Sequence, residues 1–324
     1  MLSMMKYPLK IVHGCTLSEL EGFLKESCDI FDKSVSLEPT SLGGWSNVNF
    51  RGRSSGIEFV LKLPWSTEVF DSNPYNPIYD LSLFFSRLDI ASPPLEVGRL
   101  PNSSETPFCI VEYIPGTSLP SIGKANENDL LSLKKSHQIL KREKPPNIPK
   151  YESPFNYFNA IRSPVEEHDW LSKASTETLD ILNQYELLLP SVVSSIEIIG
   201  YWSGETMHGD LWIPNIIFRS KRNALLLDLE ACATGDSRYD LAYLLEAHES
   251  ASIKEIPLLF EDEDVNFINS LRPLALTSVI DWSITRLLSM ESGIVEQNLN
   301  TPNIYSMILG YVREKIVRLG FLLH

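Results

Sequence analysis

Asp210, Asn215 and Asp228 are three oxygen-bearing side chains set close together in otherwise apolar sequence. The first two lie in Met207-His-Gly-Asp-Leu-Trp-Ile-Pro-Asn-Ile-Ile-Phe218, and the third ends the apolar run Ala224-Leu-Leu-Leu. Polar groups in such surroundings cost stability unless they are hydrogen-bonded, so the stretch is either a satisfied turn or a site. The segment Ser220-Lys-Arg-Asn223 reads as a turn that folds the two apolar runs into a hairpin. Asn215 and Asp228, just outside its strands, would then share one open end. Hard divalent cations prefer oxygen ligands, and Mg²⁺ takes one or two carboxylates plus substrate phosphates. Asp210, upstream on the same loop, is left to face a hydroxyl. This is the division of labour in kinase-type phosphoryl transfer, where one aspartate handles the nucleophile's proton and an asparagine and second aspartate hold metal.

The spacing matches the protein-kinase catalytic loop H-R-D-x-x-x-x-N, with Gly209 in place of arginine and Asp228-Leu-Glu230 in place of D-F-G. HGDLWIPN, followed by LLLDLEACATGDSRYDLAYL, resembles the aminoglycoside phosphotransferase and choline kinase superfamily of small-molecule kinases. That resemblance implies a catalytic role for Asp210 and metal ligation by Asn215 and Asp228. It extends to the amino-terminal third. Leu42-Gly43-Gly44-Trp45-Ser46-Asn47 resembles the family's GG-x-SN nucleotide loop, whose glycines let backbone N–H groups approach phosphates. Lys62, in Phe59-Val-Leu-Lys-Leu, falls where the family pairs a strand lysine with the α- and β-phosphates. Asp80 is the best-aligned acid to orient it, one methylene shorter than the usual glutamate. Glu112 and Ile114, in Ile110-Val-Glu-Tyr-Ile-Pro-Gly116, resemble the hinge whose backbone binds adenine. The resemblance covers residues 38 to 116 and 205 to 248.

Positioning these residues requires two kinds of element. The first third carries strand signals, at residues 37 to 53, at Ile57 to Pro64 after the turn Arg53-Ser-Ser-Gly56, and at 95 to 100 and 108 to 113. One helix is expected over Ile78 to Leu88. Beyond Ile114 helical periodicity dominates, over Glu127–Arg142, Thr176–Ser195, Tyr239–His248, Ser270–Met290 and Asn303–Leu322. Residues 141 to 155 (KREKPPNIPKYESPF) read as a proline-stiffened connector. The expected fold is α+β and bilobal, protein-kinase-like. It has a small antiparallel β-sheet lobe at 1–113 for nucleotide and a larger, mostly helical lobe at 114–324 with the catalytic loop and acceptor site. Ligand sites favour clefts between such lobes.

Other polar residues have structural readings first. His208 is expected to hydrogen-bond the loop to the segment around Asp228. Ser237 and Asp240 fit a capping box, and Asp240 in the family braces the catalytic loop. Glu230 could touch metal or water. Glu261-Asp-Glu-Asp264 reads as a solvated loop, with the lining of a cationic acceptor pocket as the other use. Trp170, Trp202 and Trp282 read as core, whereas Trp212 sits within the loop itself. Lys62 is either a buried cation with a ligand to meet or an edge-strand residue facing water.

Composition bounds the rest. The chain has 324 residues, 43% of them hydrophobic, and a formal net charge of −14. That charge argues against sequence-independent binding to nucleic acid or anionic membrane. Four scattered cysteines make neither a disulfide framework nor a zinc site. The first residues lack the apolar core of a signal peptide, so a cytoplasmic location is expected. The residues together imply transfer of the γ-phosphoryl group of ATP, or GTP, to a small-molecule hydroxyl acceptor, with Mg²⁺; a cationic acceptor is compatible with the charge. Two rivals use the same residues, a protein or peptide kinase and a nucleotide-binding pseudokinase. Gly209 and the long helical lobe speak against the first, and the intact Lys62, Asp210, Asn215 and Asp228 against the second.

Overall fold

Ser55 and Gly56 both take positive φ, 43° and 90°, the backbone twist that a two-residue hairpin turn demands. They join β4 (Asn47–Ser54) to β5 (Ile57–Pro64) in unbroken antiparallel register from Asn47↔Pro64 to Ser54↔Ile57. The structure is a computed structural model that describes residues 11–31, 34–42, 44, 46–66, 71–102, 104–167, 169–248, 253–295 and 304–324. By internal packing the chain divides into two compact units, Met1–Gly116 with Ile294–Pro302, and Thr117–Gly293 with Asn303–His324.

The first unit opens with β1 (Ile11–Val12), β2 (Cys15–Thr16) and α1 (Leu17–Ser27), then β3 (Ser36–Leu37), β4 and β5. It continues with α2 (Asn76–Ser86), β6 (Pro94–Arg99) and β7 (Pro107–Glu112). Its main sheet is five-stranded and antiparallel, in the order β3-β4-β5-β7-β6. Phe50, Phe59, Leu61, Phe85 and Phe108 are fully or almost fully buried and form its core. Val295 joins this unit through a backbone bridge to Ser66.

The second unit holds α3 (Glu127–Arg142), α4 (Pro154–Glu167), α5 (Thr176–Glu186), α6 (Leu189–Glu197), β8 (Glu205–Met207), β9 (Ile216–Ile217) and β10 (Leu225–Leu226). After these come β11 (Ala233–Gly235), α7 (Arg238–Glu246), α8 (Pro257–Phe260), α9 (Val265–Glu291) and α10 (Ile304–Leu323). α9 is buried along most of its length, and α4, α7 and α10 pack on it. Among the described residues no helix is long and apolar enough to cross a membrane.

Three differences from the sequence reading have local causes. The helix expected over Thr176–Ser195 is two helices, because Pro190 lacks an N–H and begins a new helix. α4 starts inside the stretch read as a connector. Pro154 occupies its first position, where the missing donor costs nothing, and Ser153 Oγ accepts the N–H of Asn156 at 3.2 Å. α9 begins five residues early because the Asp264 side chain caps it, accepting the N–H of Phe267 at 3.1 Å.

That cap also accounts for part of the acidic run. Asp262 and Glu261 pair with Lys134 at 2.8 and 3.5 Å, and Glu263 pairs with Lys141 at 2.9 Å. Three of the acids pair with α3 and Asp264 starts α9. Glu261, Asp262 and Asp264 remain exposed, so the run is the solvated loop expected, with its charges tied to neighbouring helices.

Candidate active site

The loop carrying Asp210 is built around a glycine. Gly209 has φ +79°, and a Cβ there would stand 2.3 Å from the carbonyl oxygen of Ala231. Only glycine fits that backbone and that approach, which explains why arginine does not occupy the position.

The loop's backbone is then pinned by α7. Asp240, with no exposed surface, accepts the N–H of His208 on Oδ2 at 2.8 Å and the N–H of Gly209 on Oδ1 at 2.9 Å. The capping-box expectation for Ser237 and Asp240 fails for this reason. The carboxylate is spent on the loop, and the Ser237 hydroxyl donates to Glu205 instead. Asp236 is a buried partner of Arg238, whose Nη2 lies 2.6 Å from its Oδ2.

His208 is fully buried and works through both ring nitrogens. Its Nε2 lies 2.8 Å from the carbonyl oxygen of Leu227, and its Nδ1 accepts the N–H of Asp210 at 3.3 Å. A carbonyl can only accept, so the proton sits on Nε2 and the ring is neutral. Burial holds its pKa below the usual histidine range. His208 thus ties the catalytic loop to the segment before Asp228, as expected.

The hairpin forms as well. β9 and β10 pair Ile217↔Leu225 and Ile216↔Leu226, and Leu227 N–H donates to the carbonyl oxygen of Asn215 at 2.8 Å. Asn215 and Asp228 therefore stand at its open end. Asn215 Nδ2 donates to the Asp210 carbonyl at 3.0 Å and to Asp210 Oδ2 at 2.8 Å. Both partners are acceptors, which fixes the amide's orientation and leaves Oδ1 as its acceptor. Asp228 is half-buried with left-handed backbone, φ 54° and ψ 62°, and Glu230 is exposed.

Asp210 is surrounded by more than the sequence suggested. Burial pushes its carboxyl up to about 7, against the hydrogen bond donated by Tyr243; nearby Asp228 adds to the rise, and the Asn215 hydrogen bond opposes it. Tyr243, 8% exposed, is the residue that sequence reasoning missed. Its signal was helical spacing, three positions after Asp240 and so on the same face of α7. Trp212 is half-buried, and its ring meets His248 edge-on at 5.9 Å between centroids. Trp202 is core, packed against Tyr157 and Tyr239.

In the first unit Lys62 is 7% exposed on β5, an interior strand paired on both sides, opposite Asn49 and Cys109. The edge-strand reading is thereby excluded. Asp80 lies on α2 with its side chain exposed, a setting that differs from the shielded one of Lys62. Gly44 has φ +133°, and a Cβ would fall 2.2 Å from the carbonyl oxygen of Asn47. Its own carbonyl accepts Trp65 Nε1–H at 3.2 Å, and the Ser46 carbonyl accepts the Trp65 N–H at 3.3 Å. The Asn47 side chain is buried and takes a hydrogen bond from the Tyr75 hydroxyl at 2.7 Å. Gly43 lies outside the described residues. Glu112 ends β7 opposite Phe59, and Ile114 follows it, half-buried.

A model of the phosphotransferase enzyme family matches residues 39–261. The chain belongs to the phosphotransferase enzyme family.

Solved structures agree on the fold of this phosphotransferase, which is protein-kinase-like. A choline/ethanolamine kinase family protein from Mesorhizobium loti is 15% identical, with 95% of this chain and 94% of that one covered, at TM-score 0.60. Choline kinase LicA from Streptococcus pneumoniae is 16% identical, covering 94% and 98%, at TM-score 0.62. A spectinomycin phosphotransferase, solved in complex with ADP and spectinomycin, is 11% identical, covering 95% and 98%, at TM-score 0.60. None of the curated protein sequences matches.

Proposed function

We propose that this phosphotransferase moves the γ-phosphoryl group of ATP, or GTP, to a hydroxyl of a small metabolite. The observation that carries the reading is the Asp210–Asn215 pair. The Asn215 amide spends its N–H bonds on Asp210 and keeps Oδ1 for a ligand, while the Asp210 carboxylate keeps lone pairs for an acceptor hydroxyl.

Mg²⁺ is the metal this donor set fits. Among the described residues no group of three or more His, Cys, Asp or Glu is arranged to hold a metal ion. Two protein oxygens, from Asn215 and Asp228, suit an ion that takes the rest of its shell from water and substrate phosphates. The chemistry supplied there is charge neutralisation on the phosphate oxygens. Lys62 serves the α- and β-phosphates, and the backbone of Gly43 to Asn47 covers them. Glu112 and Ile114 border the base. Asp210 orients the acceptor hydroxyl and takes up its proton. Positioning supplies most of the catalysis, because phosphoryl transfer asks little covalent chemistry of the protein.

Spectinomycin bound to one structural relative, and the choline kinase activity in the name of another, support a small hydroxyl compound as acceptor. The test is ADP release from MgATP over a panel of sugars, amino alcohols and aminoglycosides, with Asp210→Asn alongside. Acceptor-dependent release by wild type, lost in the variant, is the expected result. Equal turnover by Asp210→Asn would remove the assignment, and no MgATP-induced rise in melting temperature would remove nucleotide binding altogether.

A further inference from the structure

Lys62 shares its face of the main sheet with a second cation, Arg51. Alternate residues of a strand point to opposite faces. Val48, Phe50, Phe59, Leu61, Phe108 and Ile110 are buried on one face of β4, β5 and β7. On the other, the register sets Asn49, Lys62 and Cys109 in one row and Arg51, Val60 and Val111 in the next. The members of that second row are all half-buried, about 7 Å along the strands from Lys62.

Arg51 is held by two acids and faces a ring. Its Nη2 donates to Glu58 Oε2 at 2.8 Å, and its Nη1 stands 3.6 Å from Glu38 Oε1. The guanidinium carbon lies 4.0 Å from the centroid of the Tyr113 ring. Arg53 pairs with the same two carboxylates, its Nε 2.9 Å from Glu58 Oε1 and its Nη2 3.9 Å from Glu38 Oε1. All four charged side chains are partly exposed, from 23% for Arg51 to 57% for Arg53, and ion pairs in that setting stabilise a fold little. What the acids do for Arg51 is fix the plane of its guanidinium, which stacking on an aromatic face requires.

Tyr113 stands where a shift of the chain would be felt. β7 ends at Glu112, whose N–H donates to the Pro93 carbonyl at 2.8 Å, and the Tyr113 N–H donates to the Glu58 carbonyl at 2.9 Å. Glu58 therefore holds the Tyr113 backbone with its own main chain, and the Tyr113 ring, through Arg51, with its side chain. Ile114 follows directly.

We infer that Arg51 is a positioning residue for the nucleotide base: by holding the Tyr113 ring it fixes the strand end from which Glu112 and Ile114 present their backbone. The inference rests on the reading of Glu112 and Ile114 as the residues that border the base. A cation on an aromatic face at a partly exposed site is worth about three- to tenfold in an equilibrium constant. Its removal should weaken the base's binding by that factor and leave the phosphate side, one row away at Lys62, as it was.

Nucleotide affinity tests this whatever the acceptor is. Dissociation constants for MgATP and for AMP are measured by titration calorimetry with wild type, Arg51→Met, Arg53→Met, Tyr113→Leu and the Arg51→Met/Tyr113→Leu double variant. Arg51→Met should weaken both nucleotides by the same factor, about three- to tenfold, because both carry the base. Arg53→Met breaks pairs with the same two acids but leaves the Tyr113 ring covered, so it should bind within about twofold of wild type. In the Tyr113→Leu background Arg51→Met should add less than about twofold, since the ring it acts on is gone.

Unchanged affinity in Arg51→Met overturns the inference. So does a loss confined to MgATP, which would put the effect at the phosphates. Equal losses in the two arginine variants overturn it as well, since a general loosening of the sheet would then account for both. A full multiplicative loss in the double variant does the same, because Arg51 would be acting apart from Tyr113. A wild-type protein that binds neither nucleotide removes the nucleotide reading itself, and the inference falls with it.

Discussion

The carboxylate of Asp240 accepts the backbone N–H of Gly209 at 2.9 Å, and its other oxygen takes the N–H of His208 at 2.8 Å. Two adjacent buried amides thus have one acceptor side chain between them, thirty-one residues further along the chain. Asp240→Asn keeps one acceptor oxygen and turns an N–H toward the other amide. It should cost about 2–3 kcal/mol, the price of a buried charge-assisted bond lost and a donor left unpaired. Denaturant unfolding measures the stability, and kcat should fall with it because Asp210 follows Gly209.

Gly209→Ala tests the loop from the opposite side. Its Cβ meets the Ala231 carbonyl, and the left-handed backbone itself costs an alanine about 1–2 kcal/mol. Relief requires the loop to move, so turnover should drop about 10²-fold, whereas the MgATP-induced rise in melting temperature should remain.

His208 gives a pH dependence of stability. Its pKa in the folded protein is depressed by burial, so the unfolded chain takes up the proton first as pH falls through about 6.5. Its contribution is fully present above that value and is lost progressively on acidification below it. Melting temperatures between about pH 7.5 and 5 should fall more steeply for wild type than for His208→Gln, which has no proton to gain.

Tyr75→Phe reports on the nucleotide loop. The Tyr75 hydroxyl donates to Asn47 Oδ1 at 2.7 Å where both residues are buried. Its loss should raise KM for ATP by about three- to tenfold, in keeping with a single hydrogen bond of about 1 kcal/mol. kcat should stay close to wild type, because uniform binding is weakened and no transition-state contact is touched.

Lys315→Met probes the far end of α7. The lysine is fully buried, its Nζ bonded to the Glu246 carbonyl, and burial lowers its pKa. Methionine fills the volume but leaves the carbonyl without that donor, which should cost about 1–3 kcal/mol in denaturant unfolding. A reduced kcat in the same variant would show that the α10 contact reaches the loop through α7.

The sequence by itself carried the spacing of Asp210, Asn215 and Asp228, the hairpin that unites the latter two, and a structural His208. These features are local. They depend on residues within about twenty positions, turn chemistry and strand pairing that the intervening residue types impose. Proline punctuation was legible but ambiguous, since the same residue that ends one segment can open a helix, as Pro154 and Pro190 do here. Tertiary structure decided what the polar side chains spend their hydrogen bonds on. Asp240 serves the loop, as the family resemblance implied, and not its own helix; Glu261, Asp262 and Glu263 pair with α3, and Asp264 caps α9. A side chain with several acceptors or a rotatable hydroxyl is satisfied by whichever partner the packing brings near. That partner lies far away in sequence and close only in the fold.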